Sequence, residues 1–405
     1  MIYDYIIIGA GVTGSSTSYY LKKLKPNLKV LLIDKNHRAG FGNTAKSAAL
    51  FRNLFSSETS RQLAESSIKF YYTISKNIQL NKSGYLWLFS EDQWDKNKTT
   101  IENLNNEDLD IEIKNQEGIK KILDINLKSK EKFPDVKRGI YCRNCGSLSA
   151  VALAEYYANS FVELGGKIVF NTEIKSMNLT GEKNSYAPWD DIKIKNIIDH
   201  KGHVYSAKNY VFATGAWTNN LLSKIGVASS IYPKKRQLFG LKINDKSNIF
   251  VSKDNNHPAI ILPAGGVYIK PIMKKNTLVV GCADDLGQPY ILSDFNAKSE
   301  YFNKVIKPVL SHYFPILKKY DLNLKWAGYY AYHWPDKNPV IETVSNITWV
   351  SGTSGSGIMK ADAIGRIASS KLIGYEYANL FDQSKFKISD LSLYDRMVEM
   401  EKFII

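Results

Sequence analysis

The N-terminal segment that ends at Asp34 constrains the fold more tightly than any other part of the chain. A β-rich run at residues 3–8 leads directly into the turn GAGVTG at residues 9–14, a helix-like stretch, and a second apolar run at residues 28–33. Strand, glycine turn, helix, strand and acid in this order are typical of a dinucleotide-binding βαβ unit. The three glycines permit the tight turn, the approach of the helix N-terminus to a pyrophosphate, and the packing of helix on strand, while the acid binds a ribose. We therefore predict a dinucleotide site formed by Gly9, Gly11, Val12, Thr13, Gly14, Asp34 and the adjacent Lys35.

Two later segments repeat the pattern of a strand that ends in a glycine turn. Residues 208–222 read KNYVFATGAWTNNLL, and residues 347–357 read ITWVSGTSGSG before a helix-like stretch that reaches Gly374. A nicotinamide enzyme usually completes its cofactor site within one contiguous domain. Because the glycine turns are dispersed over the whole chain, they indicate one extended cofactor contacted by distant segments. This arrangement favours FAD over NAD.

Composition is that of a globular protein with a large core. The chain has 405 residues, of which 44% are hydrophobic, so we expect two domains or one interleaved pair. No apolar run near the N-terminus could span a bilayer and no signal-peptide pattern is present, so we expect a cytoplasmic protein, either free or membrane-associated through a partner. The net charge of +15 favours anionic partners, including small substrates and, through a basic surface, phospholipid headgroups. The charge is spread along the chain without an Arg/Lys-rich helix, and we expect no nucleic-acid partner.

The cysteine pattern predicts no metal centre. Cys142 and Cys145 form a CxxC, but neither a second CxxC nor a nearby histidine pair completes a zinc site. The motif lies in the turn-like segment GIYCRNCGSL rather than at the start of a helix after a strand. We therefore expect a structural pair, as free thiols or a local disulfide, and its role stays open.

Three further stretches carry a resemblance to a known family. They are GNTAKSAALFR shortly after Asp34, the Ala213-Thr214-Gly215 turn with Trp217, and WAGYYAYHWPDKNPVI leading to SGTSGSGIMKADAIG. Together they resemble the FAD-dependent D-amino-acid-oxidase (DAO) superfamily, and within it the sarcosine oxidase, dimethylglycine dehydrogenase and dye-linked L-proline dehydrogenase branch. The resemblance covers nearly the full length and is weakest over residues 81–138.

This resemblance implies an α/β fold with interleaved domains. A Rossmann-like FAD-binding domain would take residues 1–80, 150–225 and 330–405, and a smaller α+β substrate domain, built on a mostly antiparallel sheet, would take residues 81–149 and 226–329. Strands of the second domain are expected in KKRQLFGLKI, AIILPAGGVYIKP and NTLVVGC.

The resemblance also implies which residues contact FAD. The segment after the ribose-binding acid would line the pyrophosphate and isoalloxazine, Ile174 would lie against the adenine, and the C-terminal glycine turn would stabilise the anionic edge of the reduced flavin. The implied cofactor residues are Asn43, Thr44, Ala45, Lys46, Ser47, Ile174, Thr214, Gly215, Trp217, Gly355, Ser356, Gly357, Ile358 and Met359.

Arg52 is the residue that the resemblance places against the substrate. At this position sarcosine oxidases pair an arginine with the substrate carboxylate, and a guanidinium holds a carboxylate in a bidentate fork. The alternative is a surface arginine on a helix. Lys46 is either a flavin-phosphate contact or a second ligand of the anion. The lysine that helps hold the carboxylate in sarcosine oxidases is matched by Met359. Lys360, one residue later and about 100° further round the helix, either faces solvent or adds a cation to the site.

Two departures from the family pattern concern electron transfer and cofactor attachment. Oxidases of this branch carry a lysine over the flavin where this chain has Val279, so we expect slow reaction with oxygen and a dehydrogenase that passes electrons to a quinone or carrier protein. The cysteine that tethers flavin in some members is matched by Tyr329, so we expect non-covalent FAD.

Two substrate classes remain open at this point. The resemblance favours a small secondary or N-methylated amino acid such as sarcosine or L-proline. The alternative is sn-glycerol 3-phosphate, because Lys46, Arg52, Lys270 and Lys360 offer more cations than one carboxylate needs. An alcohol also requires a base, for which His333 is the candidate, although it could equally be a hydrogen-bonded wall residue. A further alternative is a flavoprotein assembly factor without turnover.

Overall fold

The computed structural model contains the βαβ unit that the sequence predicts. It describes residues 2–106, 110–129, 132–181, 190–244, 248–251, 257–272, 275–283, 289–317 and 319–404. Strand β1 (Ile2–Ile8) leads into helix α1 (Val12–Leu24) and then into strand β2 (Val30–Ile33). A Cβ atom added to Gly14 would lie 1.8 Å from the carbonyl oxygen of Gly9, so only glycine allows α1 to pack this closely on the turn.

The first sheet has a parallel centre. Strands β18, β11, β1, β2 and β8 pair in parallel in this order, β17 adds an antiparallel edge, and β9 and β10 extend the sheet beside β11. Besides β1 and β2, the strands are β8 (Lys167–Val169), β9 (Ile174–Leu179), β10 (Ile194–Asp199), β11 (Val204–Phe212), β17 (Val340–Val344) and β18 (Ile347–Ser351).

The second sheet is mostly antiparallel, as predicted. Its order is β16, β12, β15, β14, β13, β4, β6, β5, and among these described strands only β13 and β4 pair in parallel. The strands are β4 (Tyr85–Phe89), β5 (Ile111–Lys114), β6 (Arg138–Cys142), β12 (Ile231–Ile243), β13 (Ala259–Ile261), β14 (Val267–Ile272), β15 (Thr277–Cys282) and β16 (Tyr320–His333). Two short pairs complete the described strands: β3 (Leu50–Phe51) with β7 (Gly146–Ser147), and β19 (Tyr377–Asn379) with β20 (Lys385–Lys387).

Helix α1 packs closely against helix α9 (Gly357–Leu372). A run of small polar residues in α1, Ser15–Ser18, is fully buried, and Gly365 of helix α9 lies against Ser16. The helices are α2 (Glu58–Thr73), α3 (Glu91–Asn106), α4 (Gln116–Lys120), α5 (Ala150–Glu163), α6 (Thr218–Leu222), α7 (Ser299–Tyr301), α8 (Lys307–Tyr313) and α9 (Gly357–Leu372). Within the described residues, no helix is both long and apolar enough to cross a membrane.

The predicted fold class is confirmed: a Rossmann-like α/β layer is combined with a second layer built on a mostly antiparallel sheet. The first sheet takes its strands from residues 2–33, 167–212 and 340–351, and the second from residues 85–142 and 231–333. Each sheet has its own apolar cluster, which contains Ile7 and Val211 in the first layer and Leu86 and Phe239 in the second. The domain boundaries stay a prediction, and β16 crosses the one at residues 329 and 330.

Candidate active site

A cavity of about 490 Å³ joins the two sheets. The carboxyl ends of the parallel strands contribute Ile8, Ile33 and Val350, and the second sheet contributes Arg236 and Tyr268. Ligands of open α/β sheets bind outside the carboxyl ends of the strands, where the first turn of a following helix meets them. The cavity therefore lies where the fold predicts a dinucleotide.

The predicted dinucleotide residues meet at one end of this cavity. Gly9, Gly11, Val12, Thr13, Asp34 and Lys35 line it. The Asp34 carboxylate accepts hydrogen bonds from the N–H of Ala10 at 2.6 Å and of Asn36 at 2.7 Å, so the protein fixes its orientation. Gly14 does not line the cavity, and its contribution is the close packing of α1 on the turn.

The same end carries the residues expected near the nucleotide base. Ile174, at the start of β9, lines the cavity together with Thr214, Gly215 and Trp217. The Lys35 ammonium nitrogen lies 4.0 Å from the centre of the Trp217 ring, a cation–π contact that closes this end of the cavity.

The segment after Asp34 lines the middle of the cavity through all but one of its predicted residues. Asn43, Thr44, Lys46 and Ser47 line it, and residues 43–46 form a single 3₁₀ turn. The Thr44 hydroxyl accepts a hydrogen bond from the N–H of Val12 at 3.1 Å, which ties this turn to the start of α1. Ala45 is not among the lining residues, and its N–H donates to the Gly40 carbonyl at 2.8 Å. Its contact with the cofactor stays a prediction.

The C-terminal glycine turn also lines the cavity as predicted. All five residues from Gly355 to Met359 contribute, and α9 begins among them. Gly355 has φ +89°, and a Cβ atom there would lie 2.4 Å from the Tyr330 ring. The turn and the ring therefore pack too closely for any side chain at this position. The N–H groups at the start of α9 carry the partial positive charge of a helix N-terminus.

Arg52 lies inside the cavity and is not a surface arginine. It is 2% exposed, and its guanidinium carbon lies 4.0 Å from the centre of the Phe55 ring and 5.2 Å from that of Trp87. Nη2 donates to the Phe403 carbonyl. Nε and Nη1 are buried without a hydrogen-bond partner among the described residues. A buried guanidinium with two unpaired donors is suited to binding a carboxylate that enters the cavity.

The second sheet adds residues beside Arg52 that were not predicted from the sequence. Arg236, Tyr85, Tyr268 and Tyr330 all line the cavity. Burial raises the pKa of Tyr85, of Tyr268 and of Tyr330, so the three hydroxyls stay protonated. The Arg236 guanidinium lies 5.0 Å from the Tyr330 ring centre. The sequence offered no distinct signal for Arg236, because it follows two other basic residues, Lys234 and Lys235, in β12.

Three predicted site residues do not line the cavity. Lys360 is fully buried, which excludes the alternative that it faces solvent, and its ammonium donates to the Ser60 hydroxyl at 2.8 Å. Burial lowers the pKa of Lys360 to about 7. Lys270 donates to the Ala48 carbonyl at 2.6 Å, and burial lowers its pKa to about 8. His333 is buried, with Nδ1 3.3 Å from the Ser230 carbonyl oxygen and Nε2 3.6 Å from an Asp336 carboxylate oxygen.

The residues at the two departures from the family pattern occupy defined places. The Tyr329 hydroxyl donates to the Asp294 carbonyl at 3.0 Å and accepts from the Ser293 N–H at 2.8 Å. Val279 lies opposite Lys270 across the β14–β15 pair.

Cys142 and Cys145 are buried free thiols. A hydrogen bond to Cys145, together with burial, raises the pKa of the Cys142 thiol, which makes it an unreactive thiol.

Comparison with known proteins identifies the family. The family of FAD dependent oxidoreductases (DAO) matches residues 4–371. The chain belongs to this family. FAD-dependent oxidoreductase domain-containing protein 1 of Xenopus laevis is 23% identical over 93% of this chain and 81% of its own length. Sarcosine oxidase subunit beta of Rhodobacter capsulatus is 26% identical over 44% of each chain. The crystal structure of L-proline dehydrogenase from P. horikoshii has a TM-score of 0.78 at 23% identity and covers 96% of each chain, which shows a shared fold.

This DAO-family protein is an FAD-dependent oxidoreductase, and the cavity fits the cofactor. Glycine turns from distant segments line it together with Asp34 and the N-terminus of α9. Gly9, Gly11, Thr44, Trp217 and the turn at residues 355–359 would hold the FAD. Bound FAD supplies a two-electron acceptor for a C–H bond next to nitrogen or oxygen.

Proposed function

We propose that this protein is a dehydrogenase of a small secondary or N-methylated amino acid, and that it passes electrons to a quinone or a carrier protein rather than to oxygen. The observation that carries the proposal is the buried guanidinium of Arg52, whose Nε and Nη1 have no hydrogen-bond partner among the described residues, in a mostly aromatic part of the cavity. The names of two similar proteins, sarcosine oxidase subunit beta and L-proline dehydrogenase, refer to secondary amino acids.

Arg52 would bind the substrate carboxylate. Either the Nε–H or an Nη1–H can donate to one carboxylate oxygen, and the N–H of Nη2 that does not bind Phe403 can donate to the other. The surrounding rings of Phe55 and Tyr85 exclude water. The Tyr85 hydroxyl is also buried without a partner among the described residues and would supply a further donor. A carboxylate bound in this way would hold the amino-acid Cα in one orientation relative to the cofactor.

An amine substrate agrees better with the lining than an alcohol does. An alcohol needs a base for its hydroxyl proton, whereas a neutral amine does not. His333 does not line the cavity. The carboxylates among the described lining residues are Asp34 and Glu173, both beside the nucleotide end. Arg52, Arg236 and Lys46 line the cavity, and their positive charges would lower the amine pKa and favour its reactive neutral form.

sn-Glycerol 3-phosphate is the second candidate substrate. Lys46 supports it, because this lysine lines the cavity and its ammonium nitrogen lies 4.8 Å from the Phe295 ring centre without a carboxylate partner among the described contacts. Lys270 and Lys360, which also suggested this substrate, do not line the cavity and donate to the Ala48 carbonyl and the Ser60 hydroxyl. A phosphate would therefore meet fewer cations than the sequence suggested.

Anaerobic reduction tests the proposal. The purified yellow protein would be mixed without oxygen with sarcosine, L-proline, D-amino acids or glycerol 3-phosphate, and its visible absorbance followed. We expect sarcosine or L-proline to bleach it. Bleaching by glycerol 3-phosphate would replace the proposed substrate with the second candidate. If no compound of either class bleached it, the protein would instead be the non-catalytic assembly factor.

The acceptor is tested at Val279. Protein reduced by its substrate should regain its colour slowly in air and quickly with a dye or quinone analogue. Val279→Lys should raise the rate of reoxidation in air, because it adds a cation at the position where oxidases of this family carry lysine. Val279→Leu is the matched control, since it changes size without charge. Rapid peroxide formation by the unmodified protein would contradict the dehydrogenase assignment.

A further inference from the structure

The C-terminal residues lead to the part of the cavity that contains Arg52. We call residues 393–404 the C-terminal strap. It begins where the Leu393 N–H donates to the Glu342 carboxylate at 2.6 Å. Arg396 then pairs with Asp336, with Nε 2.7 Å from a carboxylate oxygen, and the Glu401 N–H donates to the Asp336 carbonyl at 2.9 Å. The strap is therefore bound to the protein along its length.

Glu401 is the main anchor of the strap. It is 1% exposed, and one carboxylate oxygen accepts from the N–H and hydroxyl of Ser56, each at 2.9 Å. The other oxygen accepts from the N–H and hydroxyl of Ser57, each at 3.0 Å. Burial alone would raise the pKa of Glu401, but the charges of Lys360 and Arg52 and these hydrogen bonds lower it. The carboxylate is therefore ionised at neutral pH.

The anchor places the end of the strap against Arg52. The Phe403 N–H donates to the Glu401 carboxylate at 2.8 Å, and the Phe403 carbonyl accepts from Arg52 Nη2. The Phe403 ring lies 5.2 Å from the Trp87 ring centre, and Ile404 lines the cavity itself. Residues more than three hundred positions after Arg52 thus complete its surroundings.

We propose that the C-terminal strap is a component of the substrate site. Glu401 is a positioning residue: it holds the Phe403 carbonyl on Nη2, and this contact fixes the rotation of the Arg52 guanidinium so that its unpaired N–H groups are presented to the substrate carboxylate. Ile404 limits the size of the group that the substrate carries beyond that carboxylate. The inference rests on the proposed function, because it assigns Arg52 to the substrate.

The geometry of a guanidinium explains why one contact orients the others. Its five N–H groups lie in one rigid plane, so a contact on Nη2 also fixes the directions of the Nε and Nη1 donors. Glu401 also supplies the negative charge beside Arg52 and Lys360. Replacement of Glu401 by glutamine would remove that charge, loosen the strap and leave the Arg52 fork free to turn.

Binding of carboxylates to the oxidised holoenzyme tests the inference. The probes are acetate and benzoate, with benzamide as the uncharged analogue of benzoate, and the readout is the change in flavin absorbance. Glu401→Gln should weaken acetate and benzoate by about tenfold or more, the loss of roughly one charge-assisted hydrogen bond, with FAD retained. Glu399→Gln is the matched control, since Glu399 is exposed on the same strap, and it should bind both acids as the unmodified protein does.

Ile404→Ala tests the size limit independently. It should raise the affinity for benzoate relative to that for acetate by about fivefold or more. The phenyl ring would enter the space left by the shorter side chain, and the new apolar contact is worth about 1 kcal/mol. If Glu401→Gln did not fold, an unchanged ratio of the two affinities in Ile404→Ala would overturn the inference.

The outcomes separate this inference from the proposed function. Glu401→Gln with normal carboxylate affinity, beside an Arg52→Ala variant that has lost it, would overturn the strap inference alone. Normal carboxylate affinity in Arg52→Ala would overturn the proposed function as well. Equal binding of benzamide and benzoate would show that charge is not recognised, which contradicts both.

Discussion

Arg52 carries its charge where a charge is costly. It is 2% exposed beside two aromatic rings, and the nearby Lys360 is also buried. A buried charge is stable only if partners satisfy its donors. Glu401 lies close enough to offset part of the charge, and Phe403 satisfies one donor. The remaining two donors are the reason to expect an anion at this position.

Arg52→Ala should lower kcat/KM roughly 30- to 1,000-fold, a loss of about 2–4 kcal/mol of transition-state stabilisation, because a desolvated anion loses its partner. FAD content should not change, since the nucleotide end is formed by other residues.

Lys46→Ala separates the two substrates. It should matter little for a carboxylate held by Arg52 and should cost about another 1–2 kcal/mol for a phosphate shared by both cations. A silent Arg52→Ala with FAD intact would place the substrate elsewhere.

Lys360 gives the protein a predictable dependence of stability on pH. Its folded pKa of about 7 lies below the ordinary 10.5, because burial disfavours the charged form. Between these values the unfolded chain binds a proton that the folded chain does not, so stability should rise with pH by up to ~1.4 kcal/mol per pH unit from this group. Below the folded pKa both states bind the proton and the penalty is complete.

Lys360→Met removes that penalty. The gain in melting temperature over the unmodified protein should be largest at about pH 6 and should shrink as the pH approaches about 10, as measured by thermal unfolding across a pH series. Lys23→Met, at an exposed position of α1, is the control and should show no such trend. A gain that grew with pH would show that Lys360 is stabilised in its charged form.

At the scale of helices and strands, two contacts bring the parts of the site together. The long β12–β16 pair runs from Ile231 opposite His333 to Ile243 opposite Tyr320 and carries Arg236 and Tyr330 to the cavity. Helix α9 packs on α1, so the two helix N-termini that line the cavity are held by one helix–helix contact.

Gly365→Ala should disturb that contact. The added Cβ would lie 2.8 Å from the backbone carbon and the side chain of Ser16, so α9 must shift away from α1. We expect a loss of about 1–3 kcal/mol in the free energy of unfolding and weaker FAD binding. Gly118→Ala, in helix α4, is the control, because the added Cβ would meet only flexible side-chain atoms, the nearest at 3.3 Å. Equal FAD affinity and denaturation midpoints for the two variants would show that α9 can move without consequence.

Sequence spacing predicted the elements whose roles depend on neighbouring residues. The turn at residues 9–14, Asp34 and the turn at residues 355–359 each have a local pattern, and each lies at the cavity. The sequence did not decide the position of Lys360, because rotation along α9 says nothing of Ser60 and Phe55, which a different helix and its preceding loop bring over it. Glu401 carried no signal, since its partners Ser56 and Ser57 lie far away in the chain.

On the scale of the whole molecule, FAD should act as a non-covalent link between distant segments. The cavity lining takes residues from both sheets, from the segment after β2 and from the C-terminal turn, so bound FAD joins parts that would otherwise be held by protein contacts alone. A ligand that binds only the folded state stabilises it by about 2.7 kcal/mol at a concentration one hundred times its Kd. The melting temperature should therefore rise with the logarithm of free FAD.

Acid precipitation followed by thermal unfolding tests both halves of this expectation. Tyr329 stands where a tethering cysteine would be, and its hydroxyl is hydrogen-bonded to Ser293 and Asp294, so no covalent bond to flavin is expected there. All of the flavin should leave the precipitate as FAD. Protein freed of FAD by a milder method should melt at a lower temperature and should recover as FAD is added back, whereas FMN, which lacks the adenosine that the nucleotide end binds, should restore less. Yellow colour that stays with the precipitate would contradict the non-covalent link, and equal recovery with FMN would mean that the nucleotide end around Asp34 and Ile174 contributes nothing to cofactor affinity.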